Sequence, residues 1–148
     1  MSKIKLNETY KFKVKHYAFG DLAKSEVAEL LQDGRFMAPL MERQLTKWFP
    51  KLKHVLGDKD HDHIVGTQKY DAKNFTRNGL KFMPSAMIGA GRKVDPIKLK
   101  EKCAELIYIC CDIVDFPNIR VKFIKGDDLL NEYPKGTVSK GRRGVLFA

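Results

Sequence analysis

Apolar and polar positions follow strand-like or helix-like periods along most of this 148-residue chain. In YKFKVKHY, residues 10–17, apolar side chains alternate with basic ones, which predicts an edge strand with a lysine-rich outer face. LIYICCDIV, residues 106–114, is continuously apolar, as expected for a strand in the middle of a sheet that is covered on both faces. IRVKFIK, residues 119–125, alternates again and predicts a further strand with basic residues outward.

Helical spacing predicts two helices before residue 50. The first is SEVAELL, with Ser25 as its N-cap and Asp33-Gly34 at its end. The second covers APLMERQLTKWF, residues 38–49, with Pro39 in its first turn. The apolar positions that we expect to face the core are Met41, Leu45, Trp48 and Leu52.

Two more helices are predicted in the second half of the chain. VDPIKLKEKCAE starts with Asp95 as N-cap and Pro96 at the first helical position. GDDLLNEY is a short helix that ends at Pro134. The order of elements is helices, antiparallel hairpin, crossover helix, two strands and helix. This order predicts an α/β fold with three layers around a central mixed β-sheet, and the length favours one domain over residues 1–148.

A β-hairpin is predicted in HDHIVGTQKYDAKNFT, residues 61–76, because a Gly-Thr pair between extended segments is typical of a two-residue type II′ turn. With that turn, Asp62 falls opposite Asp71, and Asp60 falls opposite Lys73. Side chains alternate along a strand, so these four residues share one face of the hairpin.

Two ionised carboxylates directly across a ladder lie about 5 Å apart and repel each other by roughly 3 kcal/mol at an effective dielectric of about 20. This is a large part of the net stability of about 5–15 kcal/mol that a small domain has. A bound divalent cation such as Mg²⁺ would reverse the sign of the interaction. The structural alternative is a surface hairpin with an Asp60–Lys73 salt bridge and a solvated Asp62.

Glu42 lies at the border of the apolar face of the second helix, three residues before Leu45 and seven before Phe49. A half-buried carboxylate at that position indicates a functional role. An exposed helix charge that pairs with Gln44 or Lys47 is the alternative.

The charge of the chain favours a polyanionic partner. Lys and Arg number 28 against 18 Asp and Glu, which gives a formal charge of +10 and points to nucleic acid first and an acidic membrane second. The Gly-rich basic loop at 76–93 supplies Lys81, Arg92 and Lys93 as candidate phosphate contacts. An ordinary solvated loop is the alternative for that segment.

Several other classes are disfavoured. No apolar run reaches the ~20 residues of a membrane span, and the basic N-terminal segment lacks the apolar block of a signal peptide, so we expect a cytoplasmic protein without a membrane partner. The three cysteines have no metal-knuckle spacing. His61 and His63 flank Asp62, but strand alternation places them on the other face, which argues against zinc. GAGRK, residues 89–93, lacks the spacing of a P-loop, and no small-molecule cofactor is expected.

Glu42, Asp62 and the sequence Asp71-Ala72-Lys73, followed by a crossover helix and a core strand, resemble the PD-(D/E)XK nuclease superfamily, whose fold is restriction-endonuclease-like. Small phage- or intron-encoded endonucleases of this superfamily are similar in length. The resemblance covers a catalytic core at about 36–125, between an N-terminal extension at 1–35 and a C-terminal helix with a basic tail at 126–148. It departs from the pattern at the residue before Asp62, which is a histidine instead of proline.

The resemblance implies Mg²⁺-dependent hydrolysis of phosphodiester bonds in double-stranded DNA, with Mn²⁺ as a substitute metal. Asp62 and Asp71 would hold the metal, and Glu42 would bind a second metal or a metal-bound water. Lys73 would orient or deprotonate the attacking water. Asp60 remains an alternative to Asp62. A double-strand cut by so short a chain favours a homodimer or a larger symmetric oligomer. A Holliday-junction resolvase of the same superfamily and a non-catalytic nucleic-acid-binding protein are the alternatives.

Overall fold

The computed structural model describes residues 4–56, 61–84, 87–88 and 91–148. The strands are β1 (Thr9–Lys13), β2 (Lys53–His54), β3 (His63–Val65), β4 (Gln68–Phe75), β5 (Leu80–Lys81), β6 (Leu106–Asp112), β7 (Asn118–Lys125) and β8 (Thr137–Val138). The α-helices are α1 (Lys24–Leu30), α2 (Gly34–Trp48), α3 (Pro96–Glu105), α4 (Gly126–Glu132) and α5 (Arg143–Leu146), and a 3₁₀ helix (Lys140–Arg142) precedes α5. None of the helices in these ranges combines the length and apolar character that a membrane span needs.

Six strands form one mixed sheet in the order β1-β7-β6-β4-β3-β2. β4 and β6 are parallel and α3 connects them, whereas the other neighbouring strands are antiparallel. The predicted α/β class with a central mixed sheet is therefore confirmed. β6 has a partner on each side, and β1 lies at one edge, as their apolar patterns predicted.

Helices cover both faces of the sheet. Along β6, Ile109 and Cys111 pack into an apolar cluster with α1, α2 and β1. Tyr108 and Cys110 point to the other face and pack with α3, α4 and α5. The continuous apolar run of β6 thus supplies two cores at once, which gives the predicted arrangement of a sheet between helical layers.

The first helix has a different cap from the one predicted. α1 begins at Lys24 after Ala23, and Ser25 lies inside the helix, so Ser25 is not the N-cap. The Glu26 carboxylate accepts a hydrogen bond from the Ala23 N–H at 2.9 Å. Glu26 is at the third helical position, and its bond to the backbone N–H of the N-cap residue is one half of a capping box.

The second helix begins earlier than predicted. Asp33 does not end α1 but caps α2, where its carboxylate accepts from the Arg35 N–H at 2.9 Å. α2 therefore starts at Gly34, and Pro39 lies in its interior rather than in its first turn. Pro39 is on the exposed side, where water can satisfy the carbonyl that loses its donor. The expected boundary between the N-terminal extension at 1–35 and the catalytic core at 36–125 falls inside this helix.

The elements of the second half follow their predicted signals. The Asp95 carboxylate accepts from the Ile97 N–H at 3.1 Å, and Pro96 is the first residue of α3. α4 ends at Glu132, before Pro134. Cys103, Cys110 and Cys111 are free thiols in the interior, as expected for reduced packing residues.

A buried ion-pair network connects the end of β6 to the C-terminal segment. Asp112 is 1% exposed and accepts hydrogen bonds from Arg120 of β7 at 2.9 and 2.7 Å. It also accepts from Nε of Arg143 at 3.0 Å, while Nη2 of Arg143 donates to Asp115 at 2.6 Å. Nothing in the sequence pattern indicated this network, because Arg143 lies 31 residues from Asp112 along the chain.

Candidate active site

The predicted hairpin register is correct. In the β3–β4 ladder, Val65 faces Gln68, Ile64 faces Lys69 and His63 faces Tyr70. The turn begins at Gly66, whose φ of +60° is the left-handed conformation that the first position of a primed turn requires.

The described ladder ends at the His63–Tyr70 pair, before the predicted pairing of Asp62 with Asp71. The Asp62 N–H donates to the Tyr70 carbonyl at 2.9 Å, so Asp62 has left the register and does not form a ladder pair with Asp71. Its carboxylate instead turns over the edge of β4 and accepts from the Ala72 N–H at 2.8 Å. Asp60, predicted to face Lys73, lies outside the described residues.

The carboxyl groups still converge. Asp71 is 6% exposed and shares a side-chain hydrogen bond with Asp62. Nζ of Lys73 lies 3.2 Å from Oδ2 of Asp71. Burial, reinforced by Asp62, raises the pKa of Asp71 to about 7, although the Lys73 ammonium acts in the opposite direction. Burial also raises the pKa of Asp62. Two carboxyls that meet in a desolvated position resist carrying two negative charges.

Glu42 faces this pair. Its side chain is 23% exposed, and its proximity to Asp62 contributes to the raised pKa of that residue. Oε2 of Glu42 lies 4.0 Å from Nε2 of His54 on β2. Glu42 is therefore half-buried and directed toward the acidic pair, whereas the alternative had it exposed and paired along its own helix.

His63 fixes the position of the α2 backbone at Glu42. Its ring is fully buried, and Nε2–H donates to the Glu42 carbonyl at 2.7 Å. Burial lowers the pKa of His63, which favours the neutral ring. The sequence did not indicate this contact, because no local signal shows which helix a strand residue will meet.

A cleft of about 800 Å³ opens beside the unpaired part of β4. Glu42 and Lys73 line it, and Lys81 lies at the same opening. Arg92 and Lys93 are exposed before α3 and do not line this cleft. Side chains that the sequence analysis missed also line it, namely Glu29, Gln32, Asp33, Arg35, Asn74, Thr76, Arg77 and Asn78. Their positions depend on how α1 and α2 approach β4, which no local pattern encodes.

The acidic pair is chemically suited to a small hard cation. Mg²⁺ commonly takes one or two carboxylates from the protein and completes its shell with water and phosphate oxygens. Within the described ranges, no group of three or more His, Cys, Asp or Glu side chains is arranged to hold a metal ion. The predicted ligands Glu42, Asp62 and Asp71 are therefore not arranged as such a group.

Comparison of the chain with protein-family models, curated proteins and solved structures found no match.

The raised pKa of Asp71 predicts a pH-dependent stability. Unfolding returns the pKa of Asp71 from about 7 to its ordinary value of 3.8. Between these two pH values, the native state keeps a proton on Asp71 that the unfolded state has lost. The stabilisation is present at low pH and is lost as the pH rises through about 7. Asp71→Asn cannot titrate at this position, so its stability relative to wild type should be greater at pH 8 than at pH 5.

Urea unfolding in EDTA at several pH values measures this difference. If the difference in the free energy of unfolding between wild type and Asp71→Asn is the same at pH 5 and pH 8, Asp71 does not cause the pH dependence.

Proposed function

We propose that this chain is a Mg²⁺-dependent endonuclease that hydrolyses phosphodiester bonds in double-stranded DNA. The observation that carries the proposal is the convergence of Asp62, Asp71 and Lys73 at the point where β3 no longer pairs with β4. Two carboxyls and an amine meet there beside an open cleft. A purely structural hairpin would gain nothing from burying two acids together.

The residues have separable roles. Asp62 and Asp71 would hold the metal, which when bound polarises the scissile phosphate and lowers the pKa of a water. The Lys73 ammonium, 3.2 Å from Asp71, would orient the attacking water and offset negative charge that develops on the phosphate. Glu42, whose backbone His63 holds, would orient Asp62 or a water molecule.

The fold that we propose is restriction-endonuclease-like. The support is the order of elements: helix α2 with an acid, the β3–β4 hairpin with Asp71-Ala72-Lys73, crossover helix α3 and parallel strand β6. This order of elements is the one that the resemblance to the PD-(D/E)XK nuclease superfamily implies. We also propose Mn²⁺ as a substitute metal and the cytoplasm as the location.

Double-strand cleavage by this chain would require two active sites, and we propose a homodimer. A groove of about 640 Å³ on the outer side of α1 and α2 offers an apolar surface for a second copy. Five large side chains at this groove are more than 40% exposed: Phe19, Leu22, Leu30, Phe36 and Leu40. Patches of this kind commonly mark protein interfaces.

Incubation with supercoiled plasmid, in Mg²⁺ and separately in EDTA, tests the proposal. We expect cleavage with Mg²⁺ or Mn²⁺, none in EDTA, and 5′-phosphate ends. A dimer should produce linear plasmid, whereas independent single sites should accumulate nicked circles. Preference for a four-way junction over linear duplex would favour the resolvase alternative. Binding without cleavage under all metal conditions would contradict the nuclease proposal and favour a non-catalytic protein.

A further inference from the structure

The turn between β4 and β5 presents an arginine to the cleft. Arg77 is exposed at the tip of the turn, and its Nη2 donates to the Oε1 of Gln32 at 2.8 Å. Gln32 lies just after α1 and lines the same cleft. The amide of Gln32 thus holds the guanidinium in a defined place without neutralising its charge.

The turn itself is rigid. The backbones of Thr76 and Gly79 exchange hydrogen bonds of 3.0 and 2.9 Å, and the Asn78 N–H donates to the Thr76 hydroxyl at 3.1 Å. Gly79 has a φ of +89°, and a Cβ at this position would lie 2.2 Å from the Val138 carbonyl of β8. β8 therefore fixes the turn from behind, so the position of Arg77 is set before any ligand binds.

The charges around Arg77 differ from those around two other cleft cations, Lys73 and Arg35. Lys73 lies beside Asp71, and Arg35 lies 3.8 Å from Asp33. Within the described part of the chain, Arg77 forms no ion pair with an acid. A preorganised arginine that keeps its full charge in a cleft is suited to bidentate contact with a phosphate.

On the basis of the proposed function, we infer that Arg77 is a DNA-backbone contact that positions the duplex beside the acidic pair. Arg77 follows Lys73 by four residues, and β4 ends at Phe75 before the turn, so their backbones lie at most about 13 Å apart at about 3.3 Å per residue. The phosphate that it contacts would then lie within about four nucleotides of the scissile one, since the rise per nucleotide is about 3.4 Å. Gln32 is a positioning residue for Arg77.

Fluorescence anisotropy with a labelled 25-base-pair DNA duplex in EDTA, over a range of salt concentrations, tests this contact. Arg77→Ala should weaken binding about 5- to 20-fold and reduce the slope of log K against log salt by about one. Arg77→Lys should recover most of the affinity and the full slope. Gln32→Ala should lose about two- to threefold in affinity with the slope unchanged, because Arg77 keeps its charge.

Arg142→Ala is the matched control, since it removes the same charge from a residue that pairs with Glu132 outside the cleft. Three results would each overturn the inference: an affinity of Arg77→Ala within twofold of wild type, an equal loss of affinity in Arg142→Ala, or no duplex binding by wild type.

The experiments distinguish failure of this inference from failure of the proposed nuclease function. Arg77-dependent binding without Mg²⁺-dependent cleavage contradicts only the nuclease, and cleavage with Arg77-independent binding contradicts only this contact.

Discussion

Lys73→Ala and Asp71→Asn should each reduce Mg²⁺-dependent plasmid cleavage by at least about 10²- to 10³-fold, the range typical of a lost proton-transfer group or charge stabiliser. Lys73 is the ammonium beside the acidic pair, at 3.2 Å from Asp71. Duplex binding in EDTA should remain within about threefold of wild type for Lys73→Ala. At pH 8, above the raised pKa of Asp71 of about 7, Asp71→Asn should bind DNA at least as tightly as wild type without metal, because a negative charge near phosphate is removed.

Lys69→Ala is the matched control for the loss of a lysine. Lys69 lies four residues earlier on the same strand, where its Nζ is 3.8 Å from Glu105 and away from the cleft. Its cleavage rate should equal that of wild type. If Lys73→Ala retains more than a tenth of wild-type activity, Lys73 has no catalytic role.

Asp112→Ala should be the most destabilising of the polar substitutions, with a loss of about 3–5 kcal/mol in the free energy of unfolding. The substitution leaves Arg120 and Arg143 partly buried without the carboxylate that both contact. For a chain of 148 residues, the loss corresponds to a decrease in Tm of roughly 10–15 °C. Differential scanning calorimetry or urea unfolding measures it.

Asp115→Ala provides the comparison, since Asp115 pairs with the same Arg143 but its side chain is 67% exposed. An exposed pair contributes at most about 1 kcal/mol. Equal effects of the two substitutions would show that the network acts as an ordinary surface ion pair. Neither residue lines the large cleft, so cleavage per folded molecule should be unchanged at temperatures where both variants are folded.

Local signals predicted the elements that depend on local chemistry. The alternation at 10–17 indicated β1, which ends at Lys13, and the continuous apolar run at 106–114 indicated β6. The Gly66 turn gave the three pairs of the β3–β4 ladder, and the Asp95-Pro96 start gave α3. The errors in α1 and α2 arose where two capping signals competed within ten residues. Asp33 could end one helix or begin the next, and only its contact with the Arg35 N–H decides between them.

The candidate site was predictable to the extent that it depends on the hairpin. Asp71 and Lys73 share a strand face by simple alternation, and the register brings Asp62 near them. The departure of Asp62 from the ladder was not predictable, because it depends on a hydrogen bond to Ala72. The contacts of His63 with α2 and of Gln32 with Arg77 join segments 21 and 45 residues apart, which no periodicity can connect.

The adjacent thiols of β6 can report on the exposure of each face of the sheet during unfolding. Cys110 and Cys111 point to opposite faces and are both 0% exposed, so an alkylating reagent can reach neither while the helical layers remain in place. The relative labelling of the two neighbours would reveal which layer detaches first. Mass spectrometry of the modified peptide could therefore follow the unfolding order of this chain without an introduced probe.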